Sequence, residues 1–175
     1  MKYIIYVIAI SLTLLSCDNS RVGKLRVFNQ FDFSYNNTFT TCFSIKFTQG
    51  DTVFIKEHFA SMADSLEDDN NYFAILSGKE RQKLDSFLNK MKFETYDTSY
   101  FQSYEDGAYC QFYFANDTLQ KVVFIHSDNV PAELKEFSNW IVATKKNLKN
   151  HLADRAIEFG SLEYFYPEGP PLRSN

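Results

Sequence analysis

Residues 39–59, FTTCFSIKFTQGDTVFIKEHF, decide how this chain folds. Phe43, Ile45 and Phe47 alternate with Cys42, Ser44 and Lys46, the period of a strand with one apolar face. Gln49-Gly50-Asp51 supplies turn chemistry, and Thr52 to Phe59 runs back through Val53, Phe54 and Ile55, so the stretch reads as a β-hairpin. A second hairpin follows: Tyr109 to Phe114 and Leu119 to His126 meet at Asn116-Asp117, two residues that tolerate the left-handed conformation of tight turns. Val122 to Ile125 is apolar without a break and reads as a central strand covered on both faces.

Other elements fall around these hairpins. Leu25, Val27, Phe31 and Phe33 suggest an extended segment ending at Tyr35-Asn36-Asn37, and Tyr72 to Leu76 a short strand. Ser77 with Glu80 three positions on is a capping-box pattern, and Leu84, Phe87, Leu88 and Met91 then set one apolar stripe on a helix. Pro131 opens a second helix, in which Leu134, Phe137, Ile141 and Leu148 recur beside Trp140 as far as about Leu152. Phe93 to Gly107 reads as a long ordered loop. The expected fold is α+β: an antiparallel sheet of about five to six strands, including two hairpins, packed against two amphipathic helices.

Upstream, Tyr3 to Leu15 carries no charge and is followed by Leu14-Leu15-Ser16-Cys17 and then the polar Asp18-Asn19-Ser20. A membrane-spanning helix needs roughly 20 apolar residues, so this shorter run fits a secretion signal. Leu14-Leu15-Ser16-Cys17 resembles the lipobox of bacterial lipoproteins, in which a peptidase cleaves before a cysteine that carries diacylglycerol. Each buried methylene of an acyl chain contributes about 0.8 kcal/mol, and the two or three chains implied by the resemblance anchor stably where one would not. The resulting layout is a signal peptide over 1–16, lipidated Cys17 and a tether to 24, one α+β domain over 25–166, and a flexible tail over 167–175.

The chain carries 18 basic and 22 acidic residues, and removing 1–16 takes away one lysine, leaving a formal charge of −5. No basic footprint for nucleic acid remains. Hydrophobic content of 45% is ample for one core. An exported chain meets an oxidising compartment, where Cys42 and Cys110 could pair. Strand parity argues against it: Cys42 lies opposite the Phe43–Phe47 face, whereas Cys110 is in phase with Phe112 and Phe114.

A cysteine-bearing first hairpin, a helix ending near Met91-Lys92-Phe93, a tyrosine-rich link ending at Asp106 and the helix entry Val130-Pro131-Ala132-Glu133-Leu134 occur in that order. From about Thr41 to Leu148 this order resembles a family of uncharacterised bacterial envelope proteins, many of them lipoproteins of Bacteroidetes-type bacteria. Phe43-Ser44 follows Cys42 where that family has a glycine and a proline. The resemblance implies a fold and an address, and no activity.

Catalytic patterns are sparse. His58, His126 and His151 lack metal-site spacing, and Cys42 and Cys110 lie in no Cys-x-x-Cys pattern. His126 has Ser127 beside it without a Gly-x-Ser-x-Gly elbow. The acidic runs Glu67-Asp68-Asp69 and Glu105-Asp106 lack EF-hand spacing and read as solvated loops. Tyrosines among acids make good contact surfaces, so Tyr96, Tyr100, Phe101 and Tyr104 form the candidate interaction surface, together with the tail rings Tyr164, Phe165 and Tyr166. The function expected is a lipid-anchored, non-enzymatic interaction module of the cell envelope, most simply at the outer membrane, facing the periplasm or the exterior. Its expected partners are the membrane, through the lipid, and an envelope protein, with no metal, cofactor or nucleic acid. Two alternatives are an anchored hydrolase or small-ligand binder, and an immunity-type inhibitor whose acidic surface suits a basic toxin.

Overall fold

The first hairpin forms as its alternation requires over its described residues, 41–58; Phe39, Thr40 and Phe59 lie outside them. β2 (Cys42–Phe47) runs antiparallel to β3 (Thr52–Glu57), with Phe47 opposite Val53 and Ile45 opposite Ile55. The computed structural model describes residues 28–37, 41–58, 71–103 and 107–162. The signal segment, Cys17, the tether, Leu25 and Val27 lie outside the described residues, as do Glu67 to Asn70, Tyr104 to Asp106 and the tail from 163 on.

β1 (Gln30–Asn36) precedes the hairpin and β4 (Asn71–Ile75) follows it. Next come α1 (Gly78–Lys90), a 3-10 turn at Phe93–Thr95, β5 (Ser99–Phe101), β6 (Tyr109–Ala115) and β7 (Gln120–His126). The last elements are α2 (Ala132–Asn147), β8 (His151–Leu152) and a 3-10 turn at Gly160–Leu162. They build one sheet in the order β5-β7-β6-β1-β2-β3-β4-β8, antiparallel at every step except the parallel pair of β5 with β7.

Among the described residues the fold is thus α+β with a mostly antiparallel sheet and two helices, but eight strands replace the five to six expected. The additions are β5, inside the stretch read as a loop, and β8, inside the stretch read as the end of the second helix. With three and two residues they are too short to show any alternation. α2 stops at Asn147 because Leu148 turns extended, at φ −71° and ψ 140°. Leu148, which suggested a further helical turn, packs on the core from that extended position. β7 is not central either. Val123 and Ile125 face the helices, while Phe124 lies tilted beside Tyr109 on the other face, with ring centroids 6.2 Å apart.

The central strand is β1. It pairs from Phe31 to Asn36 with β2 on one side and along its whole length with β6 on the other, joining the two hairpins into one sheet. Phe31 and Phe33 point to the helix layer and are fully buried. Phe31 stacks on Phe47 at 5.4 Å and on Phe137 of α2 at 5.4 Å, and lies 6.1 Å from Phe93. The helices close this layer through Phe87 and Phe137, stacked at 4.6 Å, with Trp140 beside them.

The capping box at Ser77 is present in full: its hydroxyl accepts the Glu80 N–H at 3.3 Å, and Glu80 accepts the Ser77 N–H at 2.6 Å. Arg81 ties α1 to the first hairpin by donating to the carbonyls of Thr48 and Gly50, while Asp85 holds its other nitrogen at 2.9 Å. Parity keeps the cysteines apart. Cys42 lies with Ser44 on the face away from the helices and Cys110 lies in the core, so no bridge joins them. Among the described residues no helix is long and apolar enough to cross a membrane.

Truncating Phe31 leaves a cavity between the sheet and both helices. Phe31→Ala is expected to cost about 3–5 kcal/mol in denaturant unfolding, against about 1 kcal/mol for the exposed cap substitution Ser77→Ala. Similar losses for the two would remove β1 from the centre of the core.

Candidate functional site

The tyrosine-rich link divides between interior and surface. The 3-10 turn at Phe93–Thr95 swings Tyr96 inward, where it is 7% exposed and meets Phe93 edge-on at 6.0 Å. Its hydroxyl donates to Glu133 Oε1 at 3.2 Å and lies 3.5 Å from Met91 Sδ, so it pins the start of α2 to the end of α1. Burial, with the Glu133 carboxylate alongside, pushes the hydroxyl up to about 12. Tyr100 is half-buried in β5, and its hydroxyl accepts the Asp97 N–H at 3.1 Å. Phe101 is the outward member, 64% exposed. Tyr104 lies outside the described residues.

β5 is also an edge. Its inner side meets β7, where the Phe124 N–H donates to the Thr98 carbonyl and the Gln102 N–H to the His126 carbonyl. The alternation of a parallel ladder turns the backbone groups of Ser99 and Phe101 the other way, outward. Phe101 closes a row of rings on the second face of the sheet: it lies 5.6 Å from His126, which is buried and stacked on Tyr109 at 4.0 Å and 8°.

That second face, away from the helices, carries most of the buried polar side chains among the described residues. The alternation Phe31-Asp32-Phe33-Ser34-Tyr35 sends Asp32 and Ser34 there, opposite Lys46 and Ser44 on β2 and Tyr113 and Gln111 on β6. Asp32, Ser34, Ser44 and Gln111 are nonetheless almost completely buried. Residues 158–162 cover them. Gly160 donates its N–H to Asp32 Oδ2 at 2.6 Å, the Ser161 hydroxyl meets Ser34 at 2.8 Å, Gln111 donates to the Ser161 carbonyl at 2.9 Å, and Lys46 to the Glu158 carbonyl at 2.9 Å. Gly160 rests on the Tyr113 ring so closely that a Cβ would stand 2.8 Å from it.

From Ser161 a line of hydroxyls runs back across the sheet. Ser34 meets Ser44 at 2.7 Å, and Ser44 meets Nε2 of His58 at 3.1 Å. A serine beside an imidazole suggests a nucleophile and its base, but Ser44 has no exposed surface through which a substrate could reach it, so the pair orders the hydroxyl line instead. One row further along, Asn36, Cys42 and His58 stand across β1, β2 and the end of β3, with the His58 N–H on the Cys42 carbonyl at 2.9 Å. Spacing along the chain conceals this row; only the strand register assembles it. Among the described residues no group of three His, Cys, Asp or Glu side chains is placed to hold a metal ion.

Burial pushes the Asp32 carboxyl up, against the opposing pull of Gln30, Lys46 and the Gly160 and Ser161 backbone. Its Oδ2 takes two hydrogen bonds, from Gln30 and Gly160, whereas its buried Oδ1 has no hydrogen-bond partner. The same cause pushes the Cys110 thiol up to about 12.

No family model matches the chain, and comparison with curated proteins and with solved structures returns no match.

Because the Tyr96 hydroxyl is raised above its ordinary 10.0, its contribution to stability is complete below that value and is lost as pH climbs through about 12. Tyr96→Phe is expected to flatten the alkaline arm of the stability curve between those limits. If denaturant melts of the two proteins fell in parallel over that range, the buried hydroxyl would not be the titrating group.

Proposed function

We propose that this chain is an envelope lipoprotein, held on a membrane by acyl chains on Cys17, whose α+β domain acts as a non-enzymatic interaction module. The observation that carries the address is Leu14-Leu15-Ser16-Cys17 behind an uncharged run. The outer membrane is the proposed site, with the domain facing the periplasm or the exterior, and the proposed partner is another envelope protein. The contact mode draws support from β5, an edge strand that presents outward backbone groups and the exposed Phe101 ring together. An edge of this kind receives an extended segment through main-chain hydrogen bonds and a side-chain contact. The hydrolase alternative gains nothing from Ser44 and His58, given the burial of the hydroxyl.

Cys17→Ala is expected to abolish palmitate labelling and to release the protein from the membrane fraction; a variant that stays labelled and sedimenting would end the lipoprotein reading. A photo-crosslinking residue placed at Gln102, beside the exposed ring, is expected to capture one envelope protein in intact cells, and Phe101→Asp to reduce that capture at least tenfold. Capture unchanged by Phe101→Asp would remove β5 from the contact.

A further inference from the structure

Residues 158–162 cover Asp32, Ser34 and Gln111, held by four polar contacts and by the single buried ring of Phe159. Segments attached in this way open locally at far lower cost than a core strand. The group beneath them is unusual. Asp32 is a carboxyl with no exposed surface, one oxygen doubly hydrogen-bonded and the other without a partner.

We propose that residues 158–162 form a proton-sensitive strap, closed over the second face of the sheet when Asp32 carries a proton and lifting more readily when Asp32 is ionised. An ionised carboxylate under the strap is stripped of water and has one oxygen without compensation, a cost that disappears when the strap lifts and water reaches it.

Among the described residues the charges facing Asp32 are few. Lys46 on β2 attracts it while donating to the Glu158 carbonyl, and Tyr113 on β6 presents a ring. The Glu158 side chain is exposed on the strap itself, and Arg155 lies over the Phe54 ring at 4.6 Å. Burial outweighs the attraction of Lys46 and the hydrogen bonds, so the closed strap holds the proton more tightly than the open one. Closure is therefore strongest below the ordinary value of 3.8 and weakens as pH rises through the raised one. Within that window each pH unit shifts the opening equilibrium by up to about tenfold. Lifting the strap also removes Ser161 from the hydroxyl line and bares Ser34 and Gln111, a polar strip not otherwise accessible.

His58 is the other titratable group wired to the strap, through Ser44 and Ser34. Two substitutions separate it from Asp32. Amide exchange of the full chain in detergent micelles, expressed as protection factors and followed from pH 4 to 7, reads the Gly160 N–H that bonds Asp32 and the Leu162 N–H within the strap. Protection at both positions is expected to fall with rising pH in the parent chain, by up to about tenfold per unit inside the window. In Asp32→Asn it is expected to stay high and flat, and in His58→Gln to keep the parent slope. A flat parent profile, a slope that survives in Asp32→Asn, or one that vanishes in His58→Gln would each overturn the assignment. Should Asp32→Asn fail to fold, the carboxyl carbon shift of Asp32 in the parent chain decides: titration above the ordinary aspartate range supports the strap, and titration at or below it refutes it.

Discussion

The structure depends on a strand with two neighbours. β1 is the seam at which the two hairpins become one sheet, and its phenylalanines reach both helices. Its strict alternation makes the seam specific. A slip of one residue against β2 or β6 would turn Asp32 and Ser34 into a layer of stacked phenylalanine rings, and Phe31 and Phe33 out of it. Burying a carboxylate among such rings costs far more than any alternative pairing could return. Register is thereby fixed from both faces at once.

Part of the second face is covered by an irregular strap, residues 158–162. Polar side chains at alternate positions would ordinarily meet water. Here the strap lends its own backbone: the Gly160 N–H and the Ser161 carbonyl complete what Asp32 and Gln111 would otherwise lack. The fit demands glycine at 160, because the Tyr113 ring occupies the place of a Cβ. A carboxylate at this position keeps a desolvation cost that its two hydrogen bonds offset only in part, since Oδ1 has none. On the proposal above, that residual cost is what lets the strap lift.

Much of the architecture is legible in the sequence, for identifiable reasons. The hairpin of residues 39–59, the capping box at Ser77 and the opposite facing of Cys42 and Cys110 all follow from periodicity or fixed local spacing, which tertiary context did not override. β5 and β8 escaped because two or three residues have no period, and their pairing is decided by strands distant in the chain. The candidate site was less legible. Tyr96 and Phe101 look alike among acids and hydroxyls, yet the 3-10 turn at Phe93–Thr95 buries the first and leaves the second in water. The strap was legible only as part of the domain ending at 166; its contacts were not, because Glu158 to Leu162 shows no period and its partners lie on three strands, from 50 residues upstream on β6 to 128 on β1.

The placement of β1 sets the order in which the molecule can come together. Phe31 faces Phe47 sixteen residues on, but also Phe114 eighty-three residues on, and the ring that caps it, Phe137, comes later still. A growing chain can therefore form the first hairpin early and yet have nothing to shut the core with until its last third exists. Contacts of such span slow folding, because loop closure must precede the burial that rewards it. For a polypeptide that has to thread a translocation channel before it folds, as the proposed address requires, lateness is an advantage: an unfinished core is one that need not be undone.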